Sequence, residues 1–593
     1  MQKVDDIVWD LSELHDSVLI EDAQSLMAAI STQADQFVAT KKGRILNFSS
    51  QELLLAISEF EAIKSKLSQL SQFSHLNYAV DMQDGAILKL VTKSDEFCSI
   101  ISNKLLFFFL EIGSVGFDKL ADWLRDECLV NYRYCLTQAV EKNKYRLSEK
   151  EEQLVNLKDL NGSDAFRKLY SEHTSRYEFK MMIDGEEKVM NGTQCRALRY
   201  HKDPSVRREA MRLFYDAYES DAHVMTHLFN TVIKDYNIER ELRGYETPIS
   251  TMNIGNDLPN ELVDMLHNIT TDSNVLVQRY YKMKQQILGL DDMTLADIYA
   301  PMKDDLPKVS WSEAKSIVLQ SFEAFDSDFY SFAKDMFDRD RLHVFPSKVK
   351  RGGAFCSSSH PNVRPFVMLN HLDKQRDVAT LAHELGHAIH AYFSSEQPLI
   401  NYHAILPICE TASVFSEMLV IDELKKRCKT PEEKMILLTT NLEDIFATSH
   451  RQNMFSRFEQ VIHDNIMNVR LSADELCNFY TEELKRMFGD SVRIPEEYRW
   501  EWSTIPHMLD VPFYVYSYNF GNLLVLGLYQ LYLEQGQSFI PVLKRILSAG
   551  SSVAPVELLG REGIDITNEG FWLKSIDFIN AVVDELEFTI SEL

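Results

Sequence analysis

The stretch Asp377–Phe393, DVATLAHELGHAIHAYF, is the one on which the reading of the whole chain turns. Val378, Leu381, Leu385 and Ile389 recur at helical spacing behind an acidic residue, which predicts the N-terminus of a buried helix at Asp377. On that helix His383 and His387 stand at i and i+4, so both imidazoles leave one face about one turn apart and can bind a single ion. Glu384 lies beside the first of them, where a carboxylate can take a proton from a water at the ion's open position and return it to a leaving amine. The spacing therefore predicts one catalytic Zn2+ per chain, held by imidazole nitrogens, with Glu384 as the base.

Two imidazoles need a third protein ligand. His390 lies at i+7 on the same face, but its Cα is roughly 10 Å along the axis from that of His383, which suits an outer partner better than a ligand. Downstream, Glu396, Glu410 and Glu417 are the acidic candidates. Glu410 and Glu417 sit seven apart in ETASVFSE, and on a helix they share a face. One of them could then ligate the ion while the other holds a ligand histidine by its second nitrogen.

Around this segment the composition sets bounds. At 593 residues the chain can bury a large core and divide into two or three lobes. Only 21 Gly and 16 Pro punctuate it, which fits long helices with few turns and a mainly α fold. The 62 Lys and Arg against 89 Asp and Glu give 62 − 89 = −27, which argues against nucleic acid or an anionic membrane as partner. Eight dispersed cysteines without a C-x-x-C pair suggest reduced thiols. The opening residues, Met1 to Asp6, lack the basic and apolar regions of a secretion signal, and the longest apolar run, Leu105 to Leu110, cannot span a bilayer. The expectation is a cytoplasmic protein.

Along the chain, residues 1–110 read as amphipathic helices, as in Leu53, Leu54, Ile57, Phe60, Ile63, Leu67 and Leu70. Residues 111–195 continue helical apart from a predicted hairpin turning at Asp184-Gly185. Residues 196–593 form the expected catalytic region, with a capping box at Ser310 and Glu313. Just before the histidine helix, Leu342–Phe345 and Arg364–Leu369 read as strands joined through a flexible Arg351–Phe355. This predicts a small antiparallel sheet whose free edge could take an extended peptide, with Gly353 and Ala354 offering backbone groups to it.

His383–His390 (HELGHAIH), Glu410–Ser413 (ETAS) and the run from Pro506-His507 through Pro512–Tyr518 resemble the thimet-oligopeptidase family of zinc metallopeptidases, most closely its oligoendopeptidase F branch. Arg243-Gly244-Tyr245 and Asp297–Pro301 look similar to further blocks of that family. The resemblance implies that Glu410 is the third zinc ligand. It implies a mainly α, two-lobed helical shell around a deep channel that admits short unstructured peptides, which are cut internally. It also implies that His507 and a tyrosine face the substrate, and hydrogen-bond donors there would stabilise the oxyanion. Among the tyrosines of this run Tyr514 and Tyr518 are favoured for that role, and Tyr516 is placed with the substrate-binding groups. Glu417 and His390 are taken as outer partners of the ligand histidines. This loop departs from the Gly-rich version of the mammalian relatives, with Pro512 and Phe513 in place of small residues.

Two other readings compete. A zinc exopeptidase, either a dipeptidyl carboxypeptidase or an aminopeptidase, would need a charged pocket for a free terminus, and no sequence feature identifies one. A peptide-binding protein with a structural zinc would fill all four ligand positions and have no use for Glu384.

Overall fold

The computed structural model describes residues 7–15, 17–302, 308–467 and 469–593. Helices dominate, and the chain packs into two compact units, each assembled from three separated stretches. Unit 1 comprises Met1–Lys144, Leu306–Arg427 and Leu528–Asp565; unit 2 comprises Tyr145–Asp305, Cys428–Gly527 and Ile566–Leu593.

In unit 1, helix α1 (Ser50–Val80) opens with a full capping box between Ser49 and Glu52. It buries Leu53, Ile57, Phe60, Ile63, Leu67 and Leu70, the stripe that its periodicity predicts. Within the apolar run Leu105–Leu110, Leu105, Phe107 and Phe108 are core, with Phe108 stacked on Phe60 at 5.0 Å, while Leu106 faces outward. Among the described residues no single helix is long and apolar enough to cross a membrane. Helix α2 (Trp311–Phe325) starts at Ser310, whose Oγ accepts the Glu313 N–H at 3.4 Å; the return bond from the Glu313 side chain that would complete the expected capping box is not formed among the described residues.

The sheet before the histidine helix corrects the sequence-based pairing. Its strands are β1 (Leu342–His343), β2 (Phe355–Ser357) and β3 (Phe366–Met368), in the order β1-β3-β2. The two runs predicted as an antiparallel pair, β1 and β3, are parallel, because the chain between them is long enough for a crossover. The antiparallel neighbour of β3 is β2, which begins inside the segment expected to be a flexible connection. β2 is therefore an edge strand.

Helix α3 (Gln375–Phe393) follows, and Asp377 sits in its first turn, where Oδ2 accepts the N–H groups of Leu372 at 2.7 Å and Lys374 at 3.0 Å. α3 packs against α4 (Thr411–Arg427) and against the short helix Ile540–Ser548.

Unit 2 contains the predicted hairpin, Phe179–Ile183 paired with Glu186–Met190 in the register Ile183↔Glu186. Asp184 and Gly185 both adopt positive φ, 53° and 83°, as a two-residue turn of this hand demands. In the blocks that look similar to family motifs, the charged residues are held in ion pairs. Asp297 is fully buried and accepts from Arg207 Nη2 at 2.7 Å and Arg208 Nη2 at 2.9 Å. Arg243 grips Glu152 with two bonds of 2.7 and 2.8 Å. Helix α5 (His450–Ile466) lies in unit 2, and α6 (Tyr516–Gln535) begins there.

Candidate metal centre

The centre is built where α3 and the start of α4 approach closely. Gly386 makes this possible: a Cβ there would lie 2.5 Å from both the Ala412 carbonyl oxygen and the Ser413 Cα. Glu410, in the turn just before α4, is thereby set opposite the two histidines. His383 Nε2 and His387 Nε2 are 3.2 Å apart, and Glu410 Oε2 lies 3.6 Å from the first and 3.4 Å from the second. The three donor atoms form a triangle.

This donor set fits a small divalent ion. Ligand bonds of about 2.0–2.1 Å at tetrahedral angles separate donor atoms by roughly 3.3 Å, close to every side of the triangle. The chemistry also fits, because two neutral imidazoles and one carboxylate are donors that zinc accepts while a fourth position stays open. Two further contacts fix the ligands. Glu417 Oε1 meets His383 Nδ1 at 2.5 Å, and Ser413 Oγ donates to Glu410 Oε2 at 2.6 Å. The spacing of Glu410 and Glu417 thus places one carboxylate at the donor triangle and the other behind it.

Protonation follows from this crowding. Burial works against a charged His383, but the Glu417 carboxylate, with Glu410 and Glu384, outweighs it and raises the imidazolium to about 9. Burial holds His387 below its ordinary value. For Glu410, burial opposes the charge, yet His387, His383 and Ser413 keep the carboxyl below the usual range. Glu384 is 7% exposed, and burial, together with the neighbouring Glu410 and Glu417, pushes its carboxyl up to about 7 against the pull of His383.

The His383 proton must leave before its Nε2 can hold an ion. Metal uptake by the metal-free protein at pH 7 is expected to release at least one proton, and apparent affinity to rise about tenfold per pH unit between pH 7 and 9. Divalent-ion titration in weak buffer with an indicator dye measures both; no proton release with a flat affinity would refute the assignment. Glu384 and His383 should also cost the metal-free protein stability as pH rises. The unfolded chain gives up the Glu384 proton near 4.5 and the folded one near 7, and His383 does so near 6.5 and 9 respectively, so at these two groups the folded state binds more protons. Above pH 6.5 the buried His267, His450 and His463, each held down to about 3, are neutral in both states and the loss at His383 stands clear of them.

Around the triangle lies a cavity of about 380 Å³ lined by Ala354, Phe355, Cys356, His383, Glu384 and His387, among others. The edge strand β2 therefore contributes to the wall beside Glu384. Gly353 precedes it with φ +82°, and its carbonyl accepts from Asn370 Nδ2 at 2.7 Å, so Ala354 rather than Gly353 reaches the cavity. His390 lines the wall, but among the described residues its buried Nε2 has no hydrogen-bond partner and it makes no hydrogen bond to either His383 or His387. Tyr402 and His403 also line the cavity and were not singled out from the sequence. Their position between the H-E-x-x-H helix and Glu410 was the only signal.

His507, Tyr514, Tyr516 and Tyr518 belong to unit 2. Three of them cluster: His507 lies 6.4 Å from Tyr514 and 6.3 Å from Tyr518 by ring centres, and the two tyrosines are 5.1 Å apart. Tyr516 is different. Its ring is fully buried and its hydroxyl is engaged by Asn256 Nδ2 at 2.8 Å, so it has no face to offer a ligand. The substrate-binding expectation for Tyr516 is corrected on that ground. The Pro512-Phe513 departure also finds its reason here. Phe513 adopts φ 62°, a conformation costly for a bulky residue, and is held in it by Glu459 Oε1, which accepts its N–H at 2.9 Å, and by the His463 ring at 4.6 Å.

With this geometry in place, comparison with known proteins gives the class. The profile of Peptidase family M3 matches residues 197–578, and that of the Oligopeptidase F N-terminal family matches residues 111–179. The chain belongs to peptidase family M3 and is a metallopeptidase. Among its relatives are Oligopeptidase PepF of Bacillus subtilis, 26% identical over 92% of this chain and 82% of the relative, and an Oligoendopeptidase F homolog of Borreliella burgdorferi, 25% identical over 98% and 97%. The crystal structure of oligoendopeptidase-F from Enterococcus faecium superposes with a TM-score of 0.73 at 21% identity, covering 97% of this chain and 99% of that one, a likeness of fold.

Proposed function

We propose that this chain is a zinc-dependent endopeptidase that hydrolyses internal peptide bonds of short, unstructured oligopeptides. The observation that carries the reading is the convergence of His383, His387 and Glu410 within 4.8 Å, with Glu384 in the same cavity wall. These three side chains would hold the zinc. When bound, the ion polarises a carbonyl and makes a water more acidic. Glu384 accepts the proton of the attacking water and delivers it to the leaving amine, a task suited to a carboxyl whose burial lifts it toward neutrality. Glu417 keeps His383 in one orientation through Nδ1. The edge of β2 offers backbone groups to an extended peptide, with Ala354 at its start. His507, with Tyr514 or Tyr518, supplies donors to the oxygen on which charge develops, each worth roughly 3 kcal/mol of barrier.

Cleavage of an end-blocked, internally quenched peptide of about ten residues, with products read by mass spectrometry, separates this reading from an exopeptidase, which needs a free terminus. Internal cuts in the blocked peptide are expected. Cleavage only of unblocked forms, releasing units from one end, would overturn the endopeptidase assignment.

A further inference from the structure

Unit 2 contains a cavity of its own, about 380 Å³, and His507 and Tyr518 are part of its lining. Three guanidinium groups line it, those of Arg196, Arg199 and Arg451, against a single carboxylate, Glu501, in a chain whose net charge is −27. That carboxylate is occupied: Glu501 Oε2 accepts from Arg451 Nη2 at 2.5 Å and from the Tyr480 hydroxyl at 2.9 Å. Arg451 is only 7% exposed, yet its Nη1 has no hydrogen-bond partner among the described residues. Arg199 lies over the Tyr299 ring at 4.2 Å, has no carboxylate partner among the described residues, and keeps an unpartnered buried Nε. Tyr215 and Tyr498, 5% and 4% exposed, also line the cavity, and neither hydroxyl makes a hydrogen bond within the described residues.

Enclosed cations and hydroxyls without partners are costly, and cation–π contact offsets only part of that cost. An anion entering the cavity would satisfy them. Arginine forks match a carboxylate, and Leu295, Ile298 and Phe455 in the same wall suit the apolar carbons that carry one. We infer that this cavity receives a carboxylate of the peptide substrate, with Arg199 and Arg451 Nη1 as its donors. The inference rests on the reading in which His507 and Tyr518 face the substrate. The carboxylate can come from the C-terminus of the peptide or from an Asp or Glu side chain, and both present the same group to the arginines.

One quenched peptide in four forms tests this: C-terminus free or amidated, each with its acidic residues kept or changed to Gln or Asn. Wild-type protein is expected to favour a carboxylate form about tenfold in kcat/KM, chiefly through KM, as fits a charge-assisted hydrogen bond. Loss of the preference on amidation assigns the C-terminus; loss on side-chain neutralisation assigns an acidic residue. Arg199→Gln should bring the ratio near one, and Arg199→Lys should restore part of it. If wild type cuts all four forms within about twofold, the inference is wrong while the peptidase reading stands. If no form is cut, the peptidase reading falls and this inference with it.

Discussion

Glu384→Gln is expected to lower kcat about 1,000-fold while the protein still binds its metal in full, because amide and carboxylate have the same shape but only the carboxylate accepts a proton. The side chain belongs to no ligand contact in the donor triangle, and its burial gives it a carboxyl near 7 when the site holds no cation. A cation at the triangle would favour the charged form and bring that value down. The acidic limb of kcat/KM in the loaded wild type is therefore expected below pH 7, with Glu384 losing its proton as pH rises through it. Single-turnover rates together with metal content decide the matter. A variant that retains more than a tenth of the wild-type rate with full metal would remove Glu384 from the role of base.

The second large effect is expected at a residue that touches no substrate. Gly386→Ala places a methyl group 2.5 Å from the backbone of Ala412 and Ser413, where no flexible side chain can move aside. α3 and α4 must separate, at a cost of about 3 kcal/mol, the upper part of the range for overpacked interiors. The separation also moves Glu410 and Glu417 away from His383 and His387, because Glu417 rides on α4 and Glu410 on the turn leading into it, while the imidazoles ride on α3. Metal affinity should fall about tenfold to a hundredfold, comparable to loss of a ligand's supporting partner. Urea unfolding of the metal-free form, paired with competitive metal titration, reads both quantities. Wild-type stability and affinity in Gly386→Ala would show that the helix contact does not set the donor triangle.

What the sequence discloses here is what depends on neighbours along the chain. The H-E-x-x-H spacing, the seven-residue interval from Glu410 to Glu417, the Asp184-Gly185 turn and the Ser310 cap are all local devices, and each places its residues as the pattern implies. The parallel pairing of β1 with β3 was out of reach, because nothing in two short apolar runs records their relative direction. Tyr516 could not be told from Tyr514 and Tyr518 by spacing, since its burial depends on Asn256, far away in the chain. The same holds for Phe513, whose strained backbone is secured by Glu459, and for Arg196, Arg199 and Arg451, which only folding brings to one cavity. The regions 1–110, 111–195 and 196–593 follow changes of pattern along the chain, and without a Pro-rich or low-complexity linker nothing local marks units that are each stitched from three stretches.

That stitching governs how the molecule can be made. The segment from His383 to Glu417 leaves the ribosome well before Leu528–Asp565, the last stretch of its own unit, whose helix Ile540–Ser548 packs on α3. Unit 2 waits longer still, for Ile566–Leu593. Neither unit can complete its core before its last stretch has emerged, so both are expected to finish folding late in synthesis. Until then the apolar faces that await those last stretches stay uncovered, the condition in which a growing chain is most exposed to wrong contacts.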